Sequence, residues 1–156
     1  MSDLELRAAR ADDAKAVAEI WEQGWRDGHL GNVPDELVAL RTPESLATRA
    51  ADRVADTTVA TVAGEVAGFV MVVGAEVEQV YVSARHRGSG IANTLLVEAE
   101  RQVAAGGHPK AWLAVAPGNA RARRFYERQG WADEGRFDYG AAGLSVPCHR
   151  YVKPVG

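Results

Sequence analysis

Two glycines, Gly88 and Gly90, stand between a basic run and an amphipathic segment in the sequence RHRGSGIANTLLVEAE (residues 85–100). The residues just before them, EVEQVYV (76–82), have the composition of a β-strand. A glycine loop that leads from a strand into a helix lets backbone N–H groups approach an anion, and the helix N-terminus adds about half a positive charge. The pattern therefore predicts a site for an anionic group such as a phosphate.

Three interpretations of this loop compete. A phosphate-binding ATPase loop requires Gly-Lys followed by Ser or Thr, and the Gly-Ile-Ala of residues 90–92 excludes it. A dinucleotide-binding fingerprint is weak, because Asn93 occupies the position of its third glycine and the next strand, KAWLAV (110–115), has no acidic residue. If the loop is considered alone, a glycine turn that merely joins a strand to a helix is the third interpretation.

A second motif further along the chain helps to decide between them. VYVSARHRGSGIANTLLVEAE resembles the acyl-CoA-binding motif of the GNAT superfamily of N-acetyltransferases, and Arg85, Gly88 and Gly90 have the spacing of that motif. LAVAPGNARARRFYERQGW resembles the second motif of the same family. Its matching residues are Asn119, Ala122, Phe125, Tyr126, Gly130 and Trp131. Both motifs occur in the family's order, and the resemblance extends over nearly the whole chain.

The resemblance implies which residues bind acetyl-CoA, or a longer acyl-CoA, as co-substrate; it implies no metal. Backbone N–H groups of residues 87–92 would hold the pyrophosphate, and residues 80–82 would pair with the pantetheine arm as another strand does. The residues implied for the co-substrate are Val80, Tyr81, Val82, Arg85, Arg87, Gly88, Ser89, Gly90, Ile91, Ala92, Asn119, Ala122 and Phe125.

The resemblance also implies a reaction, the direct attack of an amine on the thioester carbonyl. Tyr126 matches the family's tyrosine that protonates the departing thiolate, and general acid catalysis of this kind contributes about 10²–10⁴-fold. Glu76 is the candidate base, acting directly or through water, with Glu78 as the second candidate. Packing of Tyr126 in the core and solvation of Glu76 are the structural alternatives. A β-bulge, common in this strand of the family, leaves open which sheet faces Glu76, Glu78 and Tyr81 occupy.

The acceptor amine, on a small molecule, peptide or protein, is expected opposite the coenzyme, between the first helices and the last two strands. The residues implied there are Trp21, Trp25, Asp27, His29 and Tyr139. We hypothesise that three acidic residues attract a cationic amine: Asp27, Asp35 and Glu36. Trp21 and Trp25 are also spaced to pack on one helix face. The alternative function is a non-catalytic acyl-CoA-binding sensor of the same fold, and an NAD-dependent oxidoreductase rests on the glycine loop alone.

Hydrophobic periodicity predicts the elements that position these residues. Strands are expected at residues 4–8 and 76–82 and in a hairpin at 57–73, and a closing pair of strands at the end of the chain. Asp12 or Asp13 is expected to cap the first helix, Thr42 the second, and the glycines and Pro34 of residues 27–36 to form a loop.

The order β-α-α-β-β-β-α-β-α-β-β predicts an α/β (α+β) fold of the GNAT type in a single domain, residues 1–156. The expected architecture is a mixed central sheet of about six to seven strands with about four helices on both faces. The resemblance adds that two strands splay apart at the acetyl-CoA cleft.

Composition bounds the function classes. With 47% hydrophobic and 25% charged residues the chain is typical of a soluble globular protein, and the net charge of −3 gives no support for a nucleic-acid or membrane-surface protein. The single cysteine, Cys148, rules out an intramolecular disulfide and argues against structural zinc. No secretory signal or apolar run of membrane-spanning length is apparent, so a cytoplasmic protein is expected. A homodimer is compatible with the family resemblance.

Overall fold

Seven strands form one mixed sheet in a computed structural model that describes residues 3–29 and 31–156. The strand order is β1-β2-β3-β4-β5-β7-β6, and neighbours are antiparallel except for the parallel pair β4 and β5. The strands are β1 (Leu4–Ala8), β2 (Thr57–Val62), β3 (Glu65–Val73), β4 (Glu76–Val82), β5 (Lys110–Val115), β6 (Ala132–Ala141) and β7 (Leu144–Pro154). The mixed sheet of six to seven strands is therefore confirmed.

Five α-helices lie in the described residues, one more than expected. They are α1 (Ala14–His29), α2 (Asp35–Leu40), α3 (Pro43–Asp52), α4 (Ile91–Ala105) and α5 (Ala120–Arg128). The extra helix, α2, begins in the segment predicted as a loop. Pro34 precedes it in an extended conformation, and two acids occupy its first turn. Leu37, within the helix, is buried. These features stabilise a short helix through its dipole and one apolar anchor.

The start of α1 differs from the prediction that Asp12 or Asp13 caps it. A 3₁₀ turn over Ala11–Asp13 precedes α1 directly, so both aspartates already lie within helical structure. The Asp13 carboxylate instead accepts a hydrogen bond from the Arg10 backbone N–H at 2.7 Å and binds the Arg7 guanidinium. The cap predicted at Thr42 is confirmed, because its hydroxyl accepts from the Ser45 N–H at the start of α3. The Asn119 amide oxygen caps α5 in the same way by accepting from the Ala122 N–H.

Helices cover both faces of the sheet, as predicted. On one face α1 and α3 bury Trp21 and Leu46 against Phe69 of β3. On the other face α4 buries Leu95 and Leu96 against Val70 of the same strand. None of the described helices is both long enough and apolar enough to cross a membrane.

A β-bulge and a splay shape the centre of the sheet. Gln79 of β4 faces Met71 of β3, and Val77 faces Val72, so Glu78 has no partner residue in β3. Such a bulge shifts the alternation of side chains by one residue. On the other side of β4, the described pairing with β5 is confined to Glu76 opposite Trp112. Beyond that point β4 and β5 separate, which confirms the expected splay.

Candidate active site

Two clefts lie where β4 and β5 separate. The first, about 390 Å³, is lined by Glu76, Glu78 and Tyr139 and is called here the carboxylate cleft. The second, about 510 Å³, is lined by Gly88, Gly90 and Arg87 and is called the glycine-loop cleft. The residues that line both are Gly24, Gly28, Val80, Tyr81, Asn119, Ala122 and Tyr126. Because they share these walls, the two clefts adjoin at the splay.

The glycine loop lines its cleft and leads directly into the N-terminus of α4. Gly88 and Gly90 have φ angles of +80° and +84°, and a Cβ atom on either would meet no other group within 4 Å. Glycine is therefore required here by the left-handed backbone rather than by lack of space. Gly90 precedes α4, whose first-turn N–H groups have no acceptor within the helix. The loop thus has the geometry and polarity of an anion site, which fits a pyrophosphate.

Side chains of the loop divide into two groups. Arg85 forms an exposed ion pair with Glu65 at 2.8 Å, and the Ser89 hydroxyl donates to the His86 carbonyl; neither residue lines the cleft. Arg87 does line it, and its guanidinium lies 2.6 Å from the Asp27 carboxylate of α1. This hydrogen bond holds the pKa of Asp27 below its usual value. Asp27 therefore lines the glycine-loop cleft and does not line the carboxylate cleft.

The other residues expected around the coenzyme are brought together by β4, α4 and α5. Those that line the glycine-loop cleft are Val80, Tyr81, Val82, Ile91, Ala92, Asn119, Ala122 and Phe125. Seven more residues that were not assigned to the coenzyme from the sequence also line this cleft: Gly24, Gly28, His86, Asn93, Arg121, Arg128 and Gln129. Arg121 and Arg128 could have been found from helical spacing, since they lie four residues before and three residues after Phe125 on one face of α5.

Tyr126 lies at the junction of the two clefts. Its ring packs against Phe125, Trp131 and Tyr151, with centroids 5.4 to 6.2 Å away. Burial raises the pKa of Tyr126 to about 12, which keeps the phenol protonated at neutral pH. Within the described part of the chain its hydroxyl has no hydrogen-bond partner. A protonated hydroxyl of this kind can donate to a bound molecule.

The two candidate bases have different surroundings. Glu76 is half-buried and accepts a hydrogen bond from the Tyr139 hydroxyl. Burial raises the pKa of Glu76, and this hydrogen bond acts in the opposite direction. Glu78, on the bulge, is held by both terminal nitrogens of Arg53 at 2.6 and 3.1 Å. Glu78 is therefore committed to an ion pair, whereas Glu76 can exchange a proton more readily.

The residues expected around the acceptor fall into two sets. Trp25, His29 and Tyr139 line the carboxylate cleft, and His29 stacks on Trp25 at 5.3 Å. Burial lowers the pKa of His29, which favours the neutral ring. Trp21 is fully buried against Phe69 and lines neither cleft, so it packs in the core.

Among the lining residues of the carboxylate cleft that were not assigned to a site from the sequence are Arg41, Arg49 and Cys148. Arg41 follows α2 and Arg49 lies on α3, in a segment where no sequence motif marks them. Among the described residues no cluster of three or more His, Cys, Asp or Glu side chains is arranged to hold a metal ion.

Comparison with solved structures finds the same fold in several acetyltransferases. A GCN5-related N-acetyltransferase crystal structure from Rhodopseudomonas palustris matches with a TM-score of 0.75 and 24% identity, over 99% of this chain and 97% of that one. PaiA N-acetyltransferase from Thermoplasma acidophilum, in complex with coenzyme A, matches with a TM-score of 0.73 and 20% identity, over 99% of both chains. YncA from Salmonella typhimurium, a putative acetyltransferase with its cofactor acetyl-CoA, matches with a TM-score of 0.72 and 16% identity, over 99% of this chain and 95% of that one.

Comparison of sequences gives two results. A search of curated proteins finds no significant match. The model of the acetyltransferase (GNAT) family matches residues 14–131. This match runs from the first residue of α1 to the residue just before β6. It includes the glycine loop and the residues that line both clefts, Tyr126 among them. Fold, motifs and family model agree, and the chain belongs to the acetyltransferase (GNAT) family.

Proposed function

We propose that this protein is an acetyl-CoA-dependent N-acetyltransferase that transfers an acetyl group to the amine of a small molecule, peptide or protein. The observation that carries the proposal is the position of Tyr126, which lines both the glycine-loop cleft and the carboxylate cleft and whose hydroxyl has no hydrogen-bond partner among the described residues. A donor bound in the first cleft and an acceptor bound in the second would meet at this hydroxyl.

The glycine-loop cleft would take the donor. The N–H groups at the start of α4 and the guanidinium of Arg87 would bind the pyrophosphate, which suits the charge of a helix N-terminus. The edge of β4 at residues 80–82 faces the splay and offers strand hydrogen bonds to an extended pantetheine arm. The coenzyme A and acetyl-CoA bound by the structural relatives PaiA and YncA support this donor.

Proton transfers would be divided between the two clefts. Glu76 would take a proton from the amine, directly or through water, because its raised pKa brings it closer to neutral pH. The amine nitrogen then bonds to the acetyl carbon to give a tetrahedral intermediate. As the carbon–sulfur bond breaks, Tyr126 gives its proton to the departing thiolate, and the remaining extra proton on the nitrogen passes to the Tyr126 phenolate. A backbone N–H near residues 80–82 would stabilise the negative charge on the carbonyl oxygen, an effect typically worth about 3 kcal/mol.

The test is release of free CoA thiol from acetyl-CoA across a panel of polyamines, amino acids, aminoglycosides, aryl amines and N-terminal peptides. We expect turnover with one amine class and the acetylated amine as product. Tight binding of acetyl-CoA with no transfer to any amine would contradict the proposal and favour a non-catalytic acyl-CoA-binding module.

A further inference from the structure

In the carboxylate cleft the glutamates are already paired within the protein, whereas one arginine is available to bind a ligand. Four residues with full charges line it: Arg41, Arg49, Glu76 and Glu78. His29 also lines it, but burial lowers its pKa and favours the uncharged ring. The charge that this cleft offers to a ligand therefore depends on which groups Glu76 and Glu78 already bind.

Both carboxylates already have partners. Glu78 is bound by two nitrogens of Arg53, and Arg49 lies 3.8 Å from the same carboxylate. Arg49 is further held over the Trp21 ring, 4.6 Å from its centroid. Glu76 accepts a hydrogen bond from the Tyr139 hydroxyl, and burial raises the pKa of the Glu76 carboxyl. Neither acid is left to neutralise another cation.

Arg41 is the cation without such a partner. It follows the last residue of α2, is half-buried, and lines the cleft. Among the residues that the structure describes, no carboxylate lies within 4.0 Å of its guanidinium, and its side chain makes no hydrogen bond. Burial lowers the pKa of Arg41, and the more distant charge of Glu78 opposes the effect. A half-buried, unpaired guanidinium costs free energy, so the position is explained if a ligand pairs with it.

We propose that Arg41 binds a carboxylate of the acceptor, so that the acceptor is an amine that also carries a carboxylate, as a free amino acid does. This inference rests on the proposed acetyl transfer and names its acceptor class. A guanidinium binds a carboxylate through two parallel hydrogen bonds, which would orient the amine toward Glu76 and Tyr126. The acids expected to attract a purely cationic amine do not act here, since Asp27 pairs with Arg87 in the other cleft and Asp35 and Glu36 are exposed outside both.

The experiment compares matched amines that differ only at the carboxylate. Free L-amino acids, their amides and the corresponding decarboxylated amines are assayed by CoA thiol release with wild type, Arg41→Gln and Arg41→Lys. The control is Arg26→Gln, an exposed arginine of α1 paired with Glu22 outside both clefts. Binding of the N-acetylated acids and amides, measured calorimetrically with CoA present, gives a second readout that needs no turnover.

We expect wild type to prefer the acids, and Arg41→Gln to lose about 10- to 100-fold in kcat/KM and in product affinity on acids alone, as for a charge-assisted hydrogen bond. Arg41→Lys should retain part of the preference, and KM for acetyl-CoA should stay unchanged. The melting temperature of Arg41→Gln should be unchanged or higher, since an unpaired half-buried charge is removed.

Equal use of acids and amides, or an equal loss on both in Arg41→Gln, would overturn the acceptor assignment while leaving acetyl transfer intact. Failure of the proposed function is distinguishable from this, because then no amine of any kind is acetylated although acetyl-CoA binds. A preference for decarboxylated amines would also overturn the assignment.

Discussion

Tyr139 of β6 donates its hydroxyl hydrogen to the carboxylate of Glu76 in β4, a residue 63 positions earlier in the chain. In the sheet order β5 and β7 separate β4 from β6, so this contact reaches across two strands. The hydrogen bond favours the ionised form of Glu76, whereas burial favours the protonated form. Tyr139 therefore limits how far burial can raise the pKa of the candidate base.

Replacing Tyr139 by Phe removes this limit. The pKa of Glu76 should rise further, and since a base must be ionised to accept a proton, the acidic limb of kcat/KM against pH should move to higher pH. Activity should fall more at pH 6 than at pH 8, which a pH profile of CoA release measures. A parallel loss at every pH would show that Tyr139 acts by packing and not through the ionisation of Glu76.

Replacing Tyr126 by Phe removes the proposed proton donor and keeps the ring. We expect kcat to fall by about 10²–10⁴-fold with the dissociation constant of acetyl-CoA unchanged. Because its pKa is raised to about 12, Tyr126 should cause no loss of wild-type activity below pH 10. Tyr151→Phe is the control, since the Tyr151 hydroxyl binds Glu127 and Arg123 outside both clefts. Unchanged kcat in Tyr126→Phe would refute its role.

Replacing Gly88 by Ala tests the conformation of the glycine loop. The φ of +80° is strained for alanine by about 1 kcal/mol or more, so the loop should lose its shape and acetyl-CoA should bind more weakly. Gly107→Ala is the matched control, with a φ of +88° and free space around it, in the turn between α4 and β5. The control should lose similar stability in thermal melting and none of the acetyl-CoA affinity measured by calorimetry.

Replacing Gly24 by Ala should destabilise the protein, although Ala usually stabilises a helix interior by about 1 kcal/mol. A Cβ at this position would lie 2.1 Å from the Tyr81 ring, so α1 and β4 would have to move apart. We expect a net loss of about 1–3 kcal/mol in denaturant unfolding. In a Tyr81→Ala background the clash is absent, and there Gly24→Ala should become neutral or stabilising. An equal effect in both backgrounds would contradict this explanation.

Much of the fold follows from chemistry within a few residues. Thr42 caps its helix as predicted, and Asn119 caps α5 in the same way, because a short polar side chain next to a helix start reaches an N–H only three residues away. Gly130, with a φ of +89°, lies just beyond α5 as expected of a residue that ends a helix. The glycine loop was predicted for the same reason, since its strand, turn and helix are contiguous in the chain.

The faces of β4 were open in the sequence because an expected β-bulge would break the strict alternation of its side chains at a position that EVEQVYV does not mark. The bulge at Glu78 settles them: Glu78 reaches Arg53 near the end of α3, Tyr81 reaches Gly24 of α1, and both therefore lie on the α1–α3 face. A bulge depends on how neighbouring strands register, which local composition does not encode.

The sequence by itself determined the family, the order of most elements and the residues of the glycine loop, since these depend on motifs and local preferences. Only the tertiary structure decided that Asp27 pairs with Arg87 and that Glu78 is held by Arg53. It also decided that Arg41 has no carboxylate partner among residues 3–29 and 31–156. Charge pairing acts over a few ångströms of space between residues up to 60 positions apart, so it is decided by which elements pack together.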